Sequence, residues 1–192
     1  MKEEIAKAIE VLRNGGVILY PTDTVWGIGC DATNPEAVAK VYEIKKRSDS
    51  KSLVLLSSDM DMICRYVKEV PEMAIQLVEV NDKPMTIIYP GAITGHPRAL
   101  ASNAVAEDGT VGIRIPMMEF CQQLVMKFGR PIVSTSANIS GEPTPKRYDE
   151  ISEEIRSAVD HIVEPSLEKG STGKSSSIIK VGLDYTIEII RK

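Results

Sequence analysis

The sequence predicts an α/β domain built on a mixed sheet, and three observations carry that prediction. Segments with helical spacing of apolar residues alternate with short apolar runs of strand length. Several of those runs follow one another with no helix between them, so some neighbouring strands must be antiparallel. The chain has 192 residues, 43% of them hydrophobic, enough to bury one substantial core. No linker or repeat divides it, which predicts a single domain over 1–192.

Each element has its own local warrant. Ile5, Ile9 and Leu12 share one face of a first helix, which Gly15 or Gly16 is placed to end. "VILY" reads as a buried strand stopped by Pro21. Asn34 before Pro35 is an N-cap with proline at the first helical position, opening a helix whose core face carries Val38, Val41 and Tyr42. "LVLL", "MTIIY" and "VGIRI" read as strands, and "PEMAIQLVEV" as a helix. "MMEFCQQLVMKFG" is an amphipathic helix closed by Gly129. "PIVS", "SSIIKV" and "TIEIIR" supply further strands.

Composition excludes several classes. The net charge of −4 argues against a protein that wraps nucleic acid with its whole surface, so any cationic function is local. No apolar run reaches the roughly 18 residues of a membrane-spanning helix. The segment "MKEEIAKAIEVLRNGG" carries acids where a secretory leader carries bare positive charge. Cys30, Cys64 and Cys121 suit neither a disulfide framework nor a zinc site, and the expected location is a reducing cytoplasm. His96 and His161 have no partner at a catalytic spacing. With no H-E-x-x-H and no paired C-x-x-C, no protein-ligated metal is expected.

Two nucleotide motifs nearly match. "GSTGKSS" ends like a Walker A loop, but Glu168 stands where its first glycine belongs, and a strand-like "SSIIKV" follows instead of a helix. "GIGCDA", with Asp49 downstream, formally fits a dinucleotide fingerprint. However, "PTDTVW" separates it from the preceding strand, whereas a Rossmann turn follows its strand directly.

Two other stretches bear more weight. "KVYEIKKRSDSK" holds Lys40, Lys45, Lys46, Arg47 and Lys51 against Glu43 and Asp49, a local net of +3. It suits either a solvated helix end, where cations meet the negative dipole pole, or a polyphosphate. "STSANISG" sets hydroxyl and amide side chains behind the apolar "PIV". Turn geometry and anion binding both favour such residues.

Taken in order, "YPTDTVWGIG", "KKR", "GIRIP", "STSANISG" and a late "SSSII" resemble the Sua5/YrdC family, and the resemblance covers almost the whole chain. It implies a YrdC/RibB-like fold: an open, twisted, mixed sheet flanked by helices, with a concave, positively lined face. It implies the short TsaC/YrdC type, without the extra C-terminal domain of the longer Sua5 type. The implied activity is L-threonylcarbamoyladenylate synthesis. L-threonine, bicarbonate or CO2, and ATP carrying Mg2+ give threonylcarbamoyl-AMP and pyrophosphate for the t6A modification of tRNA by a downstream transferase machinery.

Carried over by motif, Thr24, Arg114, Ser136 and Ser176 would hold threonine, while Arg47, Lys51, Thr110, Asn138, Lys146 and Arg191 would hold ATP. Lys45 and Arg47 would stabilise charge at the phosphates, with no covalent nucleophile and no protein metal ligand. Strand alternation sets Arg114 opposite Ile113 and Ile115, pointing out of the core. Apart from the resemblance, Arg114 reads as a solvent-facing strand residue, Thr24 as a turn cap and Arg191 as a terminal charge. The sequence departs from the family pattern at Leu56, where longer members carry a threonine-contacting histidine. Two alternatives remain: a YciO-like paralogue, or a non-catalytic module that binds tRNA or double-stranded RNA weakly on the cationic face. A nicotinamide-dependent oxidoreductase ranks behind both.

Overall fold

A computed structural model describes residues 1–47 and 53–192. The helices begin and end where local chemistry dictates. Helix α1 (Lys2–Arg13) buries Ile5, Ile9 and Leu12, and the chain turns away at Asn14 and Gly15, the latter at φ 74°. Helix α2 (Pro35–Lys45) starts where Asn34 Oδ1 accepts from the Ala37 amide at 3.1 Å. It buries Val38, Val41 and Tyr42 and closes at Lys46 in the left-handed region, φ 51°. After α3 (Met60–Tyr66) and α4 (Glu72–Val80), α5 (Glu119–Phe128) ends on Gly129 at φ 82°. The last helix, α6 (Glu153–Ala158), is capped by Ser152.

The expected single sheet is two open ones. Strands β1 (Ile18–Tyr20), β2 (Gly27–Gly29), β7 (Thr135–Ser136) and β8 (His161–Ile162) form one, in the order β7-β2-β1-β8. Strands β3 (Val54–Leu56), β4 (Met85–Tyr89), β5 (Val111–Arg114), β6 (Ile132–Val133), β9 (Ser177–Val181) and β10 (Ile187–Arg191) form the other, in the order β10-β9-β4-β5-β3-β6. Both are mixed: β1 pairs antiparallel with β2 and parallel with β8, while β4 pairs antiparallel with β5 and parallel with β9.

The chain changes sheets at Ser134. Val133 pairs with Leu55 in the six-stranded sheet, and the Ser134 amide donates to the Val54 carbonyl at 2.8 Å. Thr135 and Ser136 then pair with Ile28 and Gly27 in the four-stranded sheet. The hydroxyl-rich stretch is therefore the bridge between sheets, which is why it follows an apolar strand yet carries polar side chains.

Glycines 27 and 29 lie within β2 and form no phosphate turn. A Cβ at Gly29 would sit 2.6 Å from Tyr20 Cε1 and 2.6 Å from the Val133 carbonyl oxygen. Only glycine allows Tyr20 to lie across β2 and donate its hydroxyl to Val133 O at 2.9 Å. This contact disposes of the dinucleotide reading. Likewise, strand β9 follows Gly173–Ser175, where a Walker A loop needs a helix.

Candidate functional site

A cavity of about 320 Å³ opens where the two sheets meet. One wall is the β1–β2 loop, Pro21–Trp26, every residue of which is buried. The sheet-crossing run Ser134–Ser136 forms another, and one face of the six-stranded sheet forms the floor. Strand register sets that face: Arg114 pairs with Thr86, Thr86 with Ile178, and Ile178 with Arg191, so one row, polar except at Ile178, crosses four strands. Beside it, Gly112 leaves the floor low, since a Cβ there would meet Thr86 Cγ2 at 3.3 Å.

Arg114 is only 3% exposed, although it faces the cavity as strand alternation predicts. Its Nη1 donates to Asp23 Oδ1, and its Nη2 donates to Thr24 Oγ1 at 3.3 Å. Asp23 Oδ2 also accepts from the Met117 amide at 3.0 Å. Burying a guanidinium is costly unless it is paired and hydrogen-bonded, and this geometry meets that condition. Thr22 donates its one hydroxyl proton to Val25 O at 2.7 Å, so Thr24 is the donor in the 3.0 Å Thr22–Thr24 contact. The Thr24 oxygen is thereby left as an acceptor towards Arg114.

Arg47 reaches the cavity because the left-handed turn at Lys46 carries the chain off α2 directly into its wall. Lys45 behaves differently. It is 2% exposed, does not line the cavity, and donates through Nζ to Ser136 O at 2.5 Å and Asn138 O at 2.8 Å. Burial, helped by Arg47, pulls its pKa down to about 8. Its ammonium is thus committed to the carbonyls of the sheet-crossing loop, from where its charge acts on the cavity only across that loop. Asn138 braces the same loop, donating Nδ2 to Glu142 O at 2.8 Å, and it too lies outside the cavity lining.

At the other end, Ser176 Oγ and Thr86 Oγ1 lie 2.8 Å apart, both buried. Arg191 Nε donates to Ser176 O at 2.8 Å, which ties the last strand to this edge. Trp26, in the wall, is fully buried, its Nε1 donating to Glu168 Oε2 at 2.7 Å and its ring 5.1 Å from Tyr148.

The cavity therefore gathers Thr24, Arg47, Arg114, Ser136, Ser176 and Arg191 from among the residues the sequence singles out. Thr110 lies elsewhere: it precedes β5 and donates its hydroxyl to Asp108 Oδ1 at 2.7 Å. Lys146 is exposed on an adjoining groove with Arg147 and Lys169. Lys51 falls outside the described residues. Sequence reasoning missed Asp23, Thr86 and Thr144. Asp23 stands inside the quoted "PTDT", and Thr86 is a lone polar residue in "MTIIY", a signal that was available. Among the described residues, no group of three or more His, Cys, Asp or Glu side chains is placed to hold a metal ion, and no helix is long and apolar enough to cross a membrane.

Comparison with known proteins agrees with this architecture. The family profile for Sua5, YciO and YrdC, described as telomere recombination, matches residues 10–192. A threonylcarbamoyl-AMP synthase of Stenotrophomonas maltophilia is 33% identical over 178 residues, covering 90% of each chain. Among solved structures, E. coli YciO superposes with a TM-score of 0.81 at 25% identity, covering 100% of this chain and 90% of that one. P. abyssi Sua5 complexed with L-threonine superposes with a TM-score of 0.78 at 27% identity, covering 92% of this chain and 50% of that one. The chain thus spans about half the length of that Sua5 protein.

Proposed function

Because this chain belongs to the Sua5/YciO/YrdC family, we propose that it is an L-threonylcarbamoyladenylate synthase, a nucleotidyltransferase acting as a single YrdC-like domain. It converts L-threonine, bicarbonate or CO2, and ATP into threonylcarbamoyl-AMP and pyrophosphate, which feeds t6A formation on tRNA. The observation that carries this reading is the cavity at the junction of the sheets. It brings the buried guanidinium of Arg114, bonded to Thr24, into one space with two further arginines, Arg47 and Arg191.

The chemistry asks for such a site. The threonine amine attacks CO2 and loses a proton to give a carbamate, and a carbamate oxygen then attacks the α-phosphorus as pyrophosphate leaves. Neither step needs a protein nucleophile. Both need orientation, exclusion of water from a labile carbamate, and positive charge at the leaving group. Arg114 grips the substrate carboxylate, with the Thr24 oxygen, Ser136 and Ser176 at the other polar groups of threonine. Arg47 and Arg191 face the phosphates, and Lys51 and Lys146 add positive charge for ATP. Lys45 and Asn138 hold the loop that carries Ser136. No carboxylate lines the cavity among the described residues, so Mg2+ enters on ATP oxygens and water.

The test is pyrophosphate release by purified protein. The expected result is release that requires threonine and bicarbonate together. ATP turnover that ignores threonine would overturn the reading and favour the YciO-like alternative, which the E. coli YciO superposition supports at the level of fold. Retention of tRNA on the cationic face without pyrophosphate release would favour the RNA-binding module.

A further inference from the structure

The arginines of the cavity differ in their immediate electrostatics. Arg114 is buried and ion-paired with Asp23. Arg191 is exposed and is held by a backbone carbonyl, with no acid among the partners described. Asp23 is itself only 6% exposed and sits one layer behind the lining, gripped by Arg114 and by the Met117 amide. The Arg114 end of the cavity is therefore close to neutral, whereas Arg191 meets no acid among the described residues that hold it.

Resting on the proposed activity, we infer that Asp23 is a specificity-determining residue that sorts the two anionic substrates within one cavity. The problem is physical. A polyphosphate presents several negative charges and binds any exposed guanidinium more strongly than a single carboxylate does. An unpaired Arg114 would attract the triphosphate and close the amino-acid end. With Asp23 behind it, each added negative charge on a ligand meets a like charge at short range, so repulsion grows with ligand charge. A zwitterionic amino acid brings one carboxylate and an ammonium that Asp23 attracts. Arg114 keeps N–H groups that Asp23 and Thr24 do not use, enough to grip that carboxylate. Discrimination of this kind needs a repulsive element as well as an attractive one, and Asp23 supplies it.

Asp23 also fixes the orientation of Arg114, so the test must separate sorting from simple anchoring. Calorimetry with L-threonine and inorganic tripolyphosphate, on wild type and on Asp23→Asn, does so. In the wild type, threonine is expected to bind with an affinity that tripolyphosphate leaves within twofold. In Asp23→Asn, threonine binding should weaken at least tenfold, and tripolyphosphate should now displace it competitively. Weakened threonine binding without competition would overturn the inference and leave Asp23 a structural anchor. Displacement of threonine by tripolyphosphate in the wild type would overturn it as well, and that arm decides the matter even if Asp23→Asn fails to fold. Wild-type protein that binds no threonine would instead defeat the proposed function, and the inference with it.

Discussion

On β5, Gly112 and Arg114 face the cavity while Ile113 lies in the core; on β4, Thr86 and Ile88 face the cavity while Ile87 and Tyr89 lie opposite. The two faces are nearly equally buried, with Arg114 at 3%, Thr86 at 0% and Ile113 at 1% exposed. Burial alone thus fails to separate the face that holds the fold from the face that binds. What separates them is how burial is compensated. Ile113 contributes by leaving water and needs only close packing. Arg114 needs the Asp23 carboxylate and the Thr24 hydroxyl, and the same arrangement leaves donors aimed at a ligand.

The largest expected effect lies on the apolar face. Ile113→Ala should cost about 2–5 kcal/mol of stability, read by denaturant unfolding. An unchanged midpoint would break the contrast between the faces. Arg114→Lys, by comparison, keeps the charge next to Asp23 but loses the planar two-point grip, at a cost of about 1.5–3 kcal/mol in threonine binding. Titration should show a threonine requirement raised roughly tenfold or more, with ATP affinity nearly constant. Wild-type behaviour would reduce Arg114 to a packed strand residue.

A change of similar size is expected at the other end of the cavity. Arg47→Ala should weaken ATP binding by about 1.5–3 kcal/mol and threonine binding much less, measured by calorimetry on folded protein. Equal losses for both ligands would mean that the cavity is not divided as its charges indicate.

The smallest effect concerns Lys45, which serves neither face directly. Its folded pKa of about 8 lies below the ordinary lysine value of 10.5. Between those values the unfolded chain binds more protons than the folded one, so the Lys45 contribution to stability rises with pH. The slope is at most about 1.4 kcal/mol per pH unit. Lys45→Met should flatten it in unfolding curves taken from pH 7.5 to 10, and a slope that persists would assign the titration to another group.

Local chemistry made much of this molecule legible in advance. Asn34 and Gly129 cap helices because a short side-chain acceptor and a residue free of Cβ strain are local requirements, met by the residue itself. Alternation in "VGIRI" placed Arg114 on the face opposite Ile113 because successive strand side chains must diverge. Helices α3 and α6 were missed although Asp59 and Ser152 cap them, since neither carries a long apolar period. Strand β8 offers two residues, too few for any pattern, and exists because β1 lies parallel beside it.

The tertiary structure alone decided which distant groups meet. The partner of Arg114 is 91 residues away in Asp23, and Lys45 reaches the carbonyls of Ser136 and Asn138, 91 and 93 residues on. The change of sheet at Ser134 and the exit of Thr110 from the cavity likewise depend on strand order and register. The physical reason is range. Backbone sterics, capping and alternation act over a few residues and leave their mark on each stretch of sequence. A buried ion pair forms only after two sheets have set their spacing, and nothing near Asp23 or near Arg114 records the other.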